Sequence, residues 1–407
     1  MKAHVLLPKI FNFPFTYNLK AEVKIGDLVE VPFGSRKELG VIWKNNYPEP
    51  KIKKIKDIEK KTGYSIGPKL INFIEWFALY NMTPLGLVLK MAIGGADKFI
   101  KFKEEHLKLS KTKIKNFELN EEQLKALKFL KNGKKSFDVS VLQGTTGSGK
   151  TLVYFERIKK IIEEKKQALV LLPEIFLTND FKSRFEDFFG FEPAIWHSKI
   201  TPKQKRLIWK GIINNEIKIL VGARSALLLP FKKLGIIIVD EEHDSSYKQD
   251  EGVIYNARDM AISRANFENI PIHLVTSVPS VETYNNICNK KYRHIKILSR
   301  YNNYPLPETK IINLNLEKTK NKFLANDTIN LVRKYLSRGD QVLFFINRRG
   351  FAPYLICKNC GFKEVCSDCS LYLTFHKLKN KAICHHCSFE KDVQRKCKLK
   401  KNCEFMM

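Results

Sequence analysis

Residues 144–151 read GTTGSGKT and match the phosphate-binding pattern G-x-x-x-x-G-K-[ST] at every fixed position. An apolar segment, DVSVLQ, precedes this loop, and a helical pattern, TLVYFERIKKIIEE, follows it. Glycines let the backbone wrap closely around phosphates, and the N–H groups at the helix start point toward them. We therefore predict that Lys150 contacts the β- and γ-phosphates of a nucleotide and that Thr151 binds Mg²⁺. The remaining loop residues of this predicted site are Gly144, Thr145, Thr146, Gly147, Ser148 and Gly149.

A second motif, Asp240-Glu241-Glu242-His243, directly follows the buried-strand pattern GIIIV. A carboxylate at the end of a buried strand lies on the same sheet edge as the phosphate loop, so Asp240 is predicted to hold Mg²⁺ there. Glu241 is then placed to orient or deprotonate the attacking water. An acidic patch at a strand end is the alternative interpretation. Together the two motifs predict hydrolysis of a nucleoside triphosphate, with ATP as the default.

The cysteines are concentrated near the end of the chain, where eight of the nine lie and only Cys288 stands apart. Paired C-x₂-C spacings allow two thiolates to grip one tetrahedral zinc ion. A disulfide framework is the alternative, but no secretory signal supports it. The clustered residues are Cys357, Cys360, Cys366, Cys369, Cys384, Cys387, Cys397 and Cys403.

Apolar runs that alternate with helical patterns surround the nucleotide motifs. Continuous apolar strands separated by helices are typical of a parallel sheet covered on both faces, so this part of the chain is predicted to be an α/β domain. The predicted strands are Asp138–Gln143, Gln167–Leu172, Ile217–Val221, Gly235–Val239, Ile272–Thr276 and Gln341–Ile346, the last opening a second such domain. Residues 1–60 instead show short strands and tight turns, and residues 64–93 a helical pattern broken at Pro84.

The chain has 407 residues, which predicts two to four domains, and a formal net charge of +30. This charge favours a polyanionic partner, because each phosphate contact releases counterions. A general bias toward lysine is the alternative, and an anionic membrane surface is a weaker one. No apolar run reaches the roughly 18 residues that a membrane span needs, and no cleavable signal is visible at the start. We therefore expect a cytoplasmic protein that has no membrane partner.

These motifs resemble those of the bacterial primosomal replication-restart helicases, a family of superfamily 2 DNA helicases with a DEAH-type box. The resemblance extends over essentially the whole chain. The matching strings, in order, are LPKIFNFPFTYNL, LPEI, VGARSAL, DEEHDSSYKQDEG, YNARD and FFINRRGFAP.

The resemblance implies a multidomain architecture. Its parts are a β-rich domain for the DNA 3′ end (1–60), a winged-helix-like module with linker (61–112), a RecA-like P-loop helicase lobe (113–300), the start of a second RecA-like lobe (301–356) and an inserted zinc-binding region (357–403). The family continues beyond this point with the rest of the second lobe and a C-terminal domain, so the chain, which stops at Met407, is expected to lack them.

The resemblance also assigns residue roles. Phe15, Tyr17 and Gly34 fall where the family holds the 3′ end of a nascent strand, with core aromatic residues as the alternative interpretation of Phe15 and Tyr17. Gln123 resembles the glutamine that reads adenine, with an ordinary helix residue as the alternative. His243 completes the family's DEAH-type box and joins its catalytic residues.

Three residues near the DEAH-type box are further DNA-contact candidates by the same resemblance. Arg224 is expected to contact DNA, or else to form a surface ion pair. Tyr247 and Lys248 are expected to touch a base and a phosphate from the segment 244–252.

The resemblance implies two zinc ions. Cys366, Cys369, Cys384 and Cys387 would hold the first. The second would use Cys357 and Cys360 with Cys397 and Cys403, which are five residues apart where the family has a C-x₂-C pair. Because this spacing departs from the family, His376, His385 and His386 are candidate substitute ligands, with solvated histidines as the alternative.

The family's Ser-Ala-Thr-Pro-Ser motif appears here as residues 276–280, with Val278 in place of the central threonine, which could weaken coupling between hydrolysis and movement. The principal hypothesis is an ATP-dependent 3′-5′ DNA helicase that acts at stalled forks with primosome proteins and single-strand-binding protein. A fork-DNA-binding assembly factor with little or no unwinding is the first alternative. An RNA translocase is the second.

Overall fold

A computed structural model describes most of the chain, in two compact units, residues 1–306 and 307–407. The described residues are 2–19, 22–44, 55–94, 115, 117–133, 136–300, 305, 307–313, 324–345, 356–357, 360–369, 371–376, 380–385, 387, 389–393 and 405–406. Among them, no helix is both long and apolar enough to cross a bilayer.

The chain opens with a five-stranded antiparallel sheet, in which the strands lie in the order β2-β1-β4-β3-β5. The strands are β1 (Lys2–Leu6), β2 (Phe15–Asn18), β3 (Asp27–Phe33), β4 (Arg36–Ile42) and β5 (Lys60–Ser65). Two helices follow, α1 (Pro68–Tyr80) and α2 (Leu85–Ile93). Proline at the first turn of α1 suits a position whose N–H has no helical partner. The sheet and the helices share one core, in which Leu6 and Leu28 cluster with Phe73 and Phe77.

A seven-stranded sheet, all of whose strand pairs are parallel, forms the centre of the first unit. Its order is β14-β6-β13-β10-β7-β9-β8. The strands are β6 (Asp138–Gly144), β7 (Gln167–Leu171), β8 (Ala194–Trp196), β9 (Ile219–Gly222), β10 (Leu234–Asp240), β13 (Pro271–Thr276) and β14 (Arg293–Ile297). A two-stranded antiparallel pair, β11 (Lys248–Gln249) and β12 (Tyr255–Asn256), lies outside this sheet. The predicted parallel α/β sheet is therefore confirmed.

Helices connect the strands of the parallel sheet, as a parallel arrangement requires. They are α4 (Lys150–Glu163), α5 (Asn179–Phe189), α6 (Pro202–Ile213), α7 (Ala257–Glu268) and α8 (Val281–Cys288), and a further helix, α3 (Glu121–Lys131), precedes the first strand of this sheet. Aromatic side chains fill one face of the sheet: Phe155 of α4 lies 5.7 Å from Phe185 and 5.3 Å from Phe188 of α5, ring centre to ring centre. This packing fixes α4, and with it the end of the phosphate loop.

The segment that leaves the parallel sheet after β14 is fastened to its first helix. The Glu122 carboxylate at the start of α3 accepts hydrogen bonds from the backbone N–H groups of Leu298 and Ser299, both at 2.9 Å. The next residue, Arg300, donates from Nε to the carbonyl of Thr146 in the phosphate loop at 3.2 Å. The exit of the chain from the sheet is thus tied to the nucleotide-binding motif.

The described part of the second unit contains α9 (Asn326–Leu336) and five short strands. The strands are β15 (Ile356–Cys357), β16 (Thr374–His376), β17 (Lys381–Ile383), β18 (Glu390–Asp392) and β19 (Phe405–Met406). β16, β17 and β18 form an antiparallel sheet.

The strand predicted at 341–346 is wrong for its described part. Residues 341–345 adopt no regular structure, and Leu343 and Phe345 are 91% and 84% exposed. The physical reason is the lack of a partner: within the described part of the second unit, no strand pairs with this apolar run. Residue 346 lies outside the described part.

Candidate functional site

The phosphate loop connects β6 to α4, and two of its glycines adopt left-handed backbone conformations. Gly147 has φ +82° and Gly149 has φ +79°, values that side chains disfavour. A Cβ atom on Gly149 would also lie 2.3 Å from the Gln123 amide nitrogen. Glycine is therefore required at position 149 for both its conformation and its close approach to α3.

Lys150 begins α4 and is turned back into the loop. Its ammonium donates to the carbonyl of Gly144 at 2.7 Å and to that of Thr145 at 3.2 Å. Burial lowers the pKa of Lys150, an effect opposed by the nearby charges of Glu241 and Asp240. The Lys150 ammonium thus contacts two neutral carbonyls. Phosphate oxygens at the same position are charged and would be stronger acceptors.

Asp240 and Glu241 face the same space from the end of β10. The Asp240 carboxylate accepts from the Tyr154 hydroxyl at 2.9 Å and from the Glu241 N–H at 2.9 Å. Burial, followed by the charge of Glu241, raises the pKa of Asp240 to about 6. A cation beside Asp240 would oppose both causes, so the site fits a divalent metal ion.

A cavity of about 740 Å³ joins the two motifs. Two hydroxyls of the loop, on Thr145 and Ser148, are buried and have no hydrogen-bond partner among the described residues. Neither residue lines the cavity, so phosphate contacts are left to the backbone N–H groups of the loop and to Lys150. The predicted residues that line the cavity are Thr146, Gly147, Gly149, Lys150, Thr151, Asp240 and Glu241.

Several residues that line this cavity were missed by sequence reasoning: Phe117, Glu118, Leu152, Phe155 and Arg184. Phe117 is 37% exposed and stacks on Phe188 with ring centres 5.9 Å apart. It therefore offers an aromatic face near the loop on which a base can stack. Its only signal in the sequence is an aromatic residue shortly before the helix that carries Gln123.

Gln123 lies against the phosphate loop and is fully buried. Its amide nitrogen donates to the carbonyl of Ser148 at 3.0 Å, and its amide oxygen accepts from the N–H of Asn120 at 3.0 Å. The second contact belongs to a capping box at the start of α3. The amide nitrogen therefore holds the phosphate loop and the amide oxygen caps α3, and contact with adenine stays a prediction.

His243 and Glu242 connect the DEAH-type box to residues 276–280. His243 Nδ1 lies 2.8 Å from the Thr276 hydroxyl, which itself donates to the carbonyl of Val278 at 2.9 Å. Glu242 is 1% exposed and accepts from the Ser280 N–H at 2.8 Å and from the Thr283 hydroxyl at 2.9 Å. The side chain of Val278 is 66% exposed, so the described contacts use the residues around it.

Arg258 of α7 completes this buried network. Its guanidinium lies 3.4 Å from the Glu242 carboxylate and donates to the Ser280 hydroxyl at 2.6 Å. Arg258 follows β12, which pairs with β11, the strand that contains Lys248. The network therefore extends from the end of β10 to the start of α7. This helix follows β12, the partner of the strand that carries the predicted DNA contact Lys248.

The three residues predicted to contact DNA near this segment have different surroundings. Arg224 donates to the backbone carbonyl of Lys248 at 2.6 Å, and the exposed Lys248 ammonium lies 3.3 Å from the Asp250 carboxylate. Tyr247 is 2% exposed, and its hydroxyl donates to the carbonyls of Leu171 and Asp240. Because the ring of Tyr247 packs in the core, it has no exposed face on which a DNA base could stack. Its hydroxyl instead bonds backbone carbonyls at the ends of β7 and β10.

The amino-terminal residues predicted to hold a DNA end are divided in the same way. Phe15 is partly exposed within a group of aromatic rings, 5.3 Å from both Phe13 and Phe33. Tyr17 is buried, and its hydroxyl donates to the carbonyl of Pro32 at 3.2 Å, so it supports the sheet rather than offering a surface. Burial raises the pKa of Tyr17 to about 12.

Gly34 lies beside this aromatic group, at the turn between β3 and β4. It has φ +59°, and a Cβ atom added to it would have no described atom within 4 Å. The Lys56 ammonium donates to its carbonyl at 3.2 Å. The sequence interpretation missed Phe11, Phe13, Phe33 and Lys56, whose grouping depends on the strand register.

Four cysteines of the second unit converge on one point. The sulfur atoms of Cys366, Cys369, Cys384 and Cys387 all lie within 4.8 Å of one another. For Cys387, a backbone hydrogen bond at Phe389 lowers the pKa, but desolvation and the neighbouring thiols outweigh it and raise the pKa to about 12. Four thiolates so close together need a cation, so this donor set fits a tetrahedral zinc ion.

The second predicted zinc site is only partly described. Cys357 is buried and Cys360 is exposed. Cys397, Cys403 and His386 lie outside the described residues. The second zinc ion therefore remains a prediction.

Comparison with known proteins gives matches along the whole chain. Three family models match: the 3′ DNA-binding domain at residues 4–94, the DEAD/DEAH box helicase at 120–286 and the PriA DNA helicase Cys-rich region at 366–391. The replication restart protein PriA of Rickettsia conorii is 40% identical over 97% of this chain and 61% of its own length. That of Helicobacter pylori J99 is 33% identical over 97% and 60%.

Over 97% of its length, this chain is similar to the replication restart proteins PriA. It spans about 61% of the length of the Rickettsia relatives that it matches. Among solved structures, the UvsW helicase of bacteriophage T4 is 18% identical, with a TM-score of 0.34, over 51% of this chain and 78% of its own.

The three matched regions correspond to separate groups of strands and helices in this structure. The DNA-binding model covers the five-stranded sheet together with α1 and α2, and the helicase model runs from α3 into α8. The model of the PriA Cys-rich region begins at Cys366 and includes all four clustered cysteines. The predicted fold class, a β-rich 3′-DNA-binding domain with a RecA-like lobe and a cysteine-rich region, is therefore confirmed.

Proposed function

We propose that this chain binds branched DNA carrying a 3′ end and hydrolyses ATP as part of a 3′-5′ DNA helicase of replication restart. The observation that carries this proposal is the convergence of Lys150, Asp240 and Glu241 on one cavity at the carboxyl ends of parallel strands. The family supports it, because the same chain carries the 3′ DNA-binding domain. Work on the chromosome implies a cytoplasmic location.

Within the cavity, each residue has a distinct part in hydrolysis. Lys150 leaves the carbonyls of Gly144 and Thr145 and binds the β- and γ-phosphates, because charged acceptors hold an ammonium more strongly than neutral ones. Asp240 and Thr151 would hold Mg²⁺, which neutralises charge on the phosphates. Glu241 orients the attacking water and accepts its proton.

DNA contacts are proposed at two places in the first unit. The aromatic group around Phe15 stacks the terminal base of a 3′ end, and Gly34 leaves room for the sugar. Arg224 and Lys248, which lie next to each other, contact phosphates of the strand beside the helicase lobe. The network of Glu242, Ser280 and Arg258 links this second place to the end of β10.

Zinc has a structural part in this proposal. Cys366, Cys369, Cys384 and Cys387 would hold one ion in the ribbon, which comprises these four cysteines and the sheet β16–β18. A second ion is proposed at Cys357, Cys360, Cys397 and Cys403. Other primosome proteins and single-strand-binding protein are the proposed protein partners.

DNA-dependent ATP hydrolysis by the chain tests the proposal directly. We expect forked DNA to stimulate hydrolysis, Lys150→Ala to abolish it, and Lys159→Ala, an exposed change on the same helix, to leave it intact. Equal hydrolysis by the Lys150→Ala and wild-type proteins would contradict the nucleotide site. A comparison of forks ending in a 3′ hydroxyl and a 3′ phosphate tests end recognition, with tighter binding expected for the hydroxyl.

A fork-binding assembly factor without unwinding is the second candidate function. A DNA-binding domain that is matched separately from the helicase region favours it, because fork binding through this domain does not require strand separation. Fork binding with no ATP-dependent strand separation by this chain would support this candidate. Strand separation that depends on Lys150 would exclude it.

A further inference from the structure

Two histidines of the second unit bring their ring nitrogens together on the surface of the ribbon. His376 Nε2 lies 3.0 Å from His385 Nε2, and the ring centres are 5.0 Å apart at an interplanar angle of 52°. His376 ends β16, and His385 lies just beyond the end of β17, the neighbouring strand. In this hairpin His376 is paired with Lys381, and this register fixes the backbone positions of both histidines.

We propose that His376 and His385 bind a divalent transition-metal ion through their Nε2 atoms, at a site distinct from the four-cysteine cluster. Two imidazole nitrogens about 2.0–2.1 Å from a zinc ion are about 3.3 Å apart in a tetrahedral arrangement and about 2.9 Å apart at a right angle. The observed 3.0 Å lies between these values. The pair is therefore already spaced as two ligands of one ion.

The histidine pair and the cysteine cluster use different donor atoms. Among the described residues, the ligand atoms gathered within 4.8 Å of one another at the cysteine cluster are four sulfur atoms and include no histidine nitrogen. A four-thiolate site is closed, whereas two imidazoles leave coordination positions for water. Imidazole suits Zn²⁺, Ni²⁺ and Cu²⁺, and these are the ions that the pair would take.

A simple N–H···N hydrogen bond between two neutral rings is the competing explanation of the short distance. It requires one ring to carry its proton on Nε2 and the other to present a lone pair there. A metal ion instead uses both lone pairs at once. Metal uptake and protection of both rings distinguish the two explanations.

Nickel titration of the zinc-loaded chain tests the site, with heat of binding as the measurement. We expect one Ni²⁺ per chain at this site, at least about tenfold weaker binding in His376→Gln or His385→Gln, and loss of binding in the double variant. His197→Gln, a change at a half-buried histidine of the first unit, is the matched control and should bind Ni²⁺ like the wild type. Unchanged nickel binding by the double variant would overturn the proposal.

Footprinting of the unaltered chain makes the test independent of variant folding. Diethylpyrocarbonate modifies exposed imidazole nitrogens, and mass spectrometry locates the product. We expect Ni²⁺ to protect His376 and His385 while modification of His197 stays constant. If Ni²⁺ protects neither ring of the pair, the short distance is a hydrogen bond and the metal site does not exist.

Zinc content separates a local effect from loss of the ribbon. Both single variants should retain the zinc held by Cys366, Cys369, Cys384 and Cys387. If the variants release that zinc and the wild type shows no nickel protection, the histidines serve only to support the hairpin, and the proposal is overturned.

Discussion

Glu242 and Ser280, which are 38 positions apart, are joined by two hydrogen bonds, from the Ser280 N–H at 2.8 Å and from its hydroxyl at 3.1 Å. The carboxylate is almost fully buried, so it depends on these donors and on Arg258 for its charge to be tolerated. These hydrogen bonds therefore hold the residues just after β10 against the start of α8.

Removing the Glu242 charge should destabilise the first unit. In Glu242→Ala, Arg258 loses its buried partner, and we expect a loss of about 3–5 kcal/mol in the free energy of unfolding. Urea denaturation measures it. Glu282→Gln is the matched control, because Glu282 also faces Arg258, at 3.7 Å, but is 70% exposed and should cost less than about 1 kcal/mol. Equal losses in both variants would show that burial does not set the strength of this pair.

Gly149→Ala should abolish nucleotide binding by the loop. The added Cβ would lie 2.3 Å from the Gln123 amide nitrogen, and residues with a side chain rarely adopt the φ of +79° found at this position. We expect at least a tenfold loss of affinity for a fluorescent ATP analogue, or about 1.4 kcal/mol. Gly339→Ala is the control, since Gly339 shares the φ of +79° but has open space in front of it. If Gly149→Ala binds nucleotide normally, α3 does not limit the loop.

Acid should destabilise the parallel sheet through His273, which is fully buried in β13. Burial lowers the pKa of His273 to about 3, from an ordinary value of 6.5, and the charge of Arg157 adds to this effect. The unfolded chain therefore binds a proton below about pH 6.5 that the folded chain refuses until about pH 3. Stability is full above pH 6.5 and falls by about 1.4 kcal/mol per pH unit below it.

His273→Leu isolates this contribution. Between pH 6.5 and 5, we expect the unfolding free energy of the wild type to fall by about 1.4 kcal/mol more per pH unit than that of the variant. Urea denaturation at each pH measures this difference. Between pH 7.5 and 8.5 the two proteins should show parallel dependences, which serves as the internal control. Identical slopes below pH 6.5 would mean that His273 is protonated in the folded chain.

Loss of zinc should unfold the ribbon without disturbing the parallel sheet. Cys369→Ser removes one of four clustered thiols, so we expect loss of the bound zinc and rapid amide hydrogen exchange in β16–β18, with unchanged exchange in β6–β10. Cys288→Ser changes an exposed cysteine of the first unit and should retain zinc. Retention of zinc by the Cys369→Ser protein would show that the four-thiol site is not the metal centre.

Recognition of a 3′ end should depend on Phe15 more than on Tyr17. Phe15→Ala removes a partly exposed stacking surface, and we expect a loss on the order of 1–3 kcal/mol in binding to a 3′-hydroxyl fork, measured by fluorescence anisotropy. Tyr17→Phe breaks only the buried hydrogen bond to Pro32 and should leave DNA affinity unchanged. The reverse order of effects would show that Tyr17, and not the aromatic group around Phe15, holds the DNA end.

Local motifs made the nucleotide site predictable. The phosphate loop and the DEAH-type box each specify their own conformation over a few residues, and the strands before them carry continuous apolar patterns. The two short strands β8 and β14 were missed, because a three-residue strand and one written RHIKI give no such pattern.

Tertiary packing decided the rest. Nothing in the sequence around Tyr247 shows that its hydroxyl reaches the carbonyls of Leu171 and Asp240, and Gln123 gives no local sign that its amide holds the phosphate loop. A strand also needs a neighbour, so the apolar residues 343–345 could not be assigned from composition alone.

The fastening of Leu298 and Ser299 to Glu122, followed by the contact of Arg300 with Thr146, has a mechanical consequence. Arg300 also donates to the carbonyl of Pro305 at 3.3 Å. One guanidinium therefore connects the phosphate loop to the chain that follows β14, so a movement of the loop at Thr146 would act directly on residue 305.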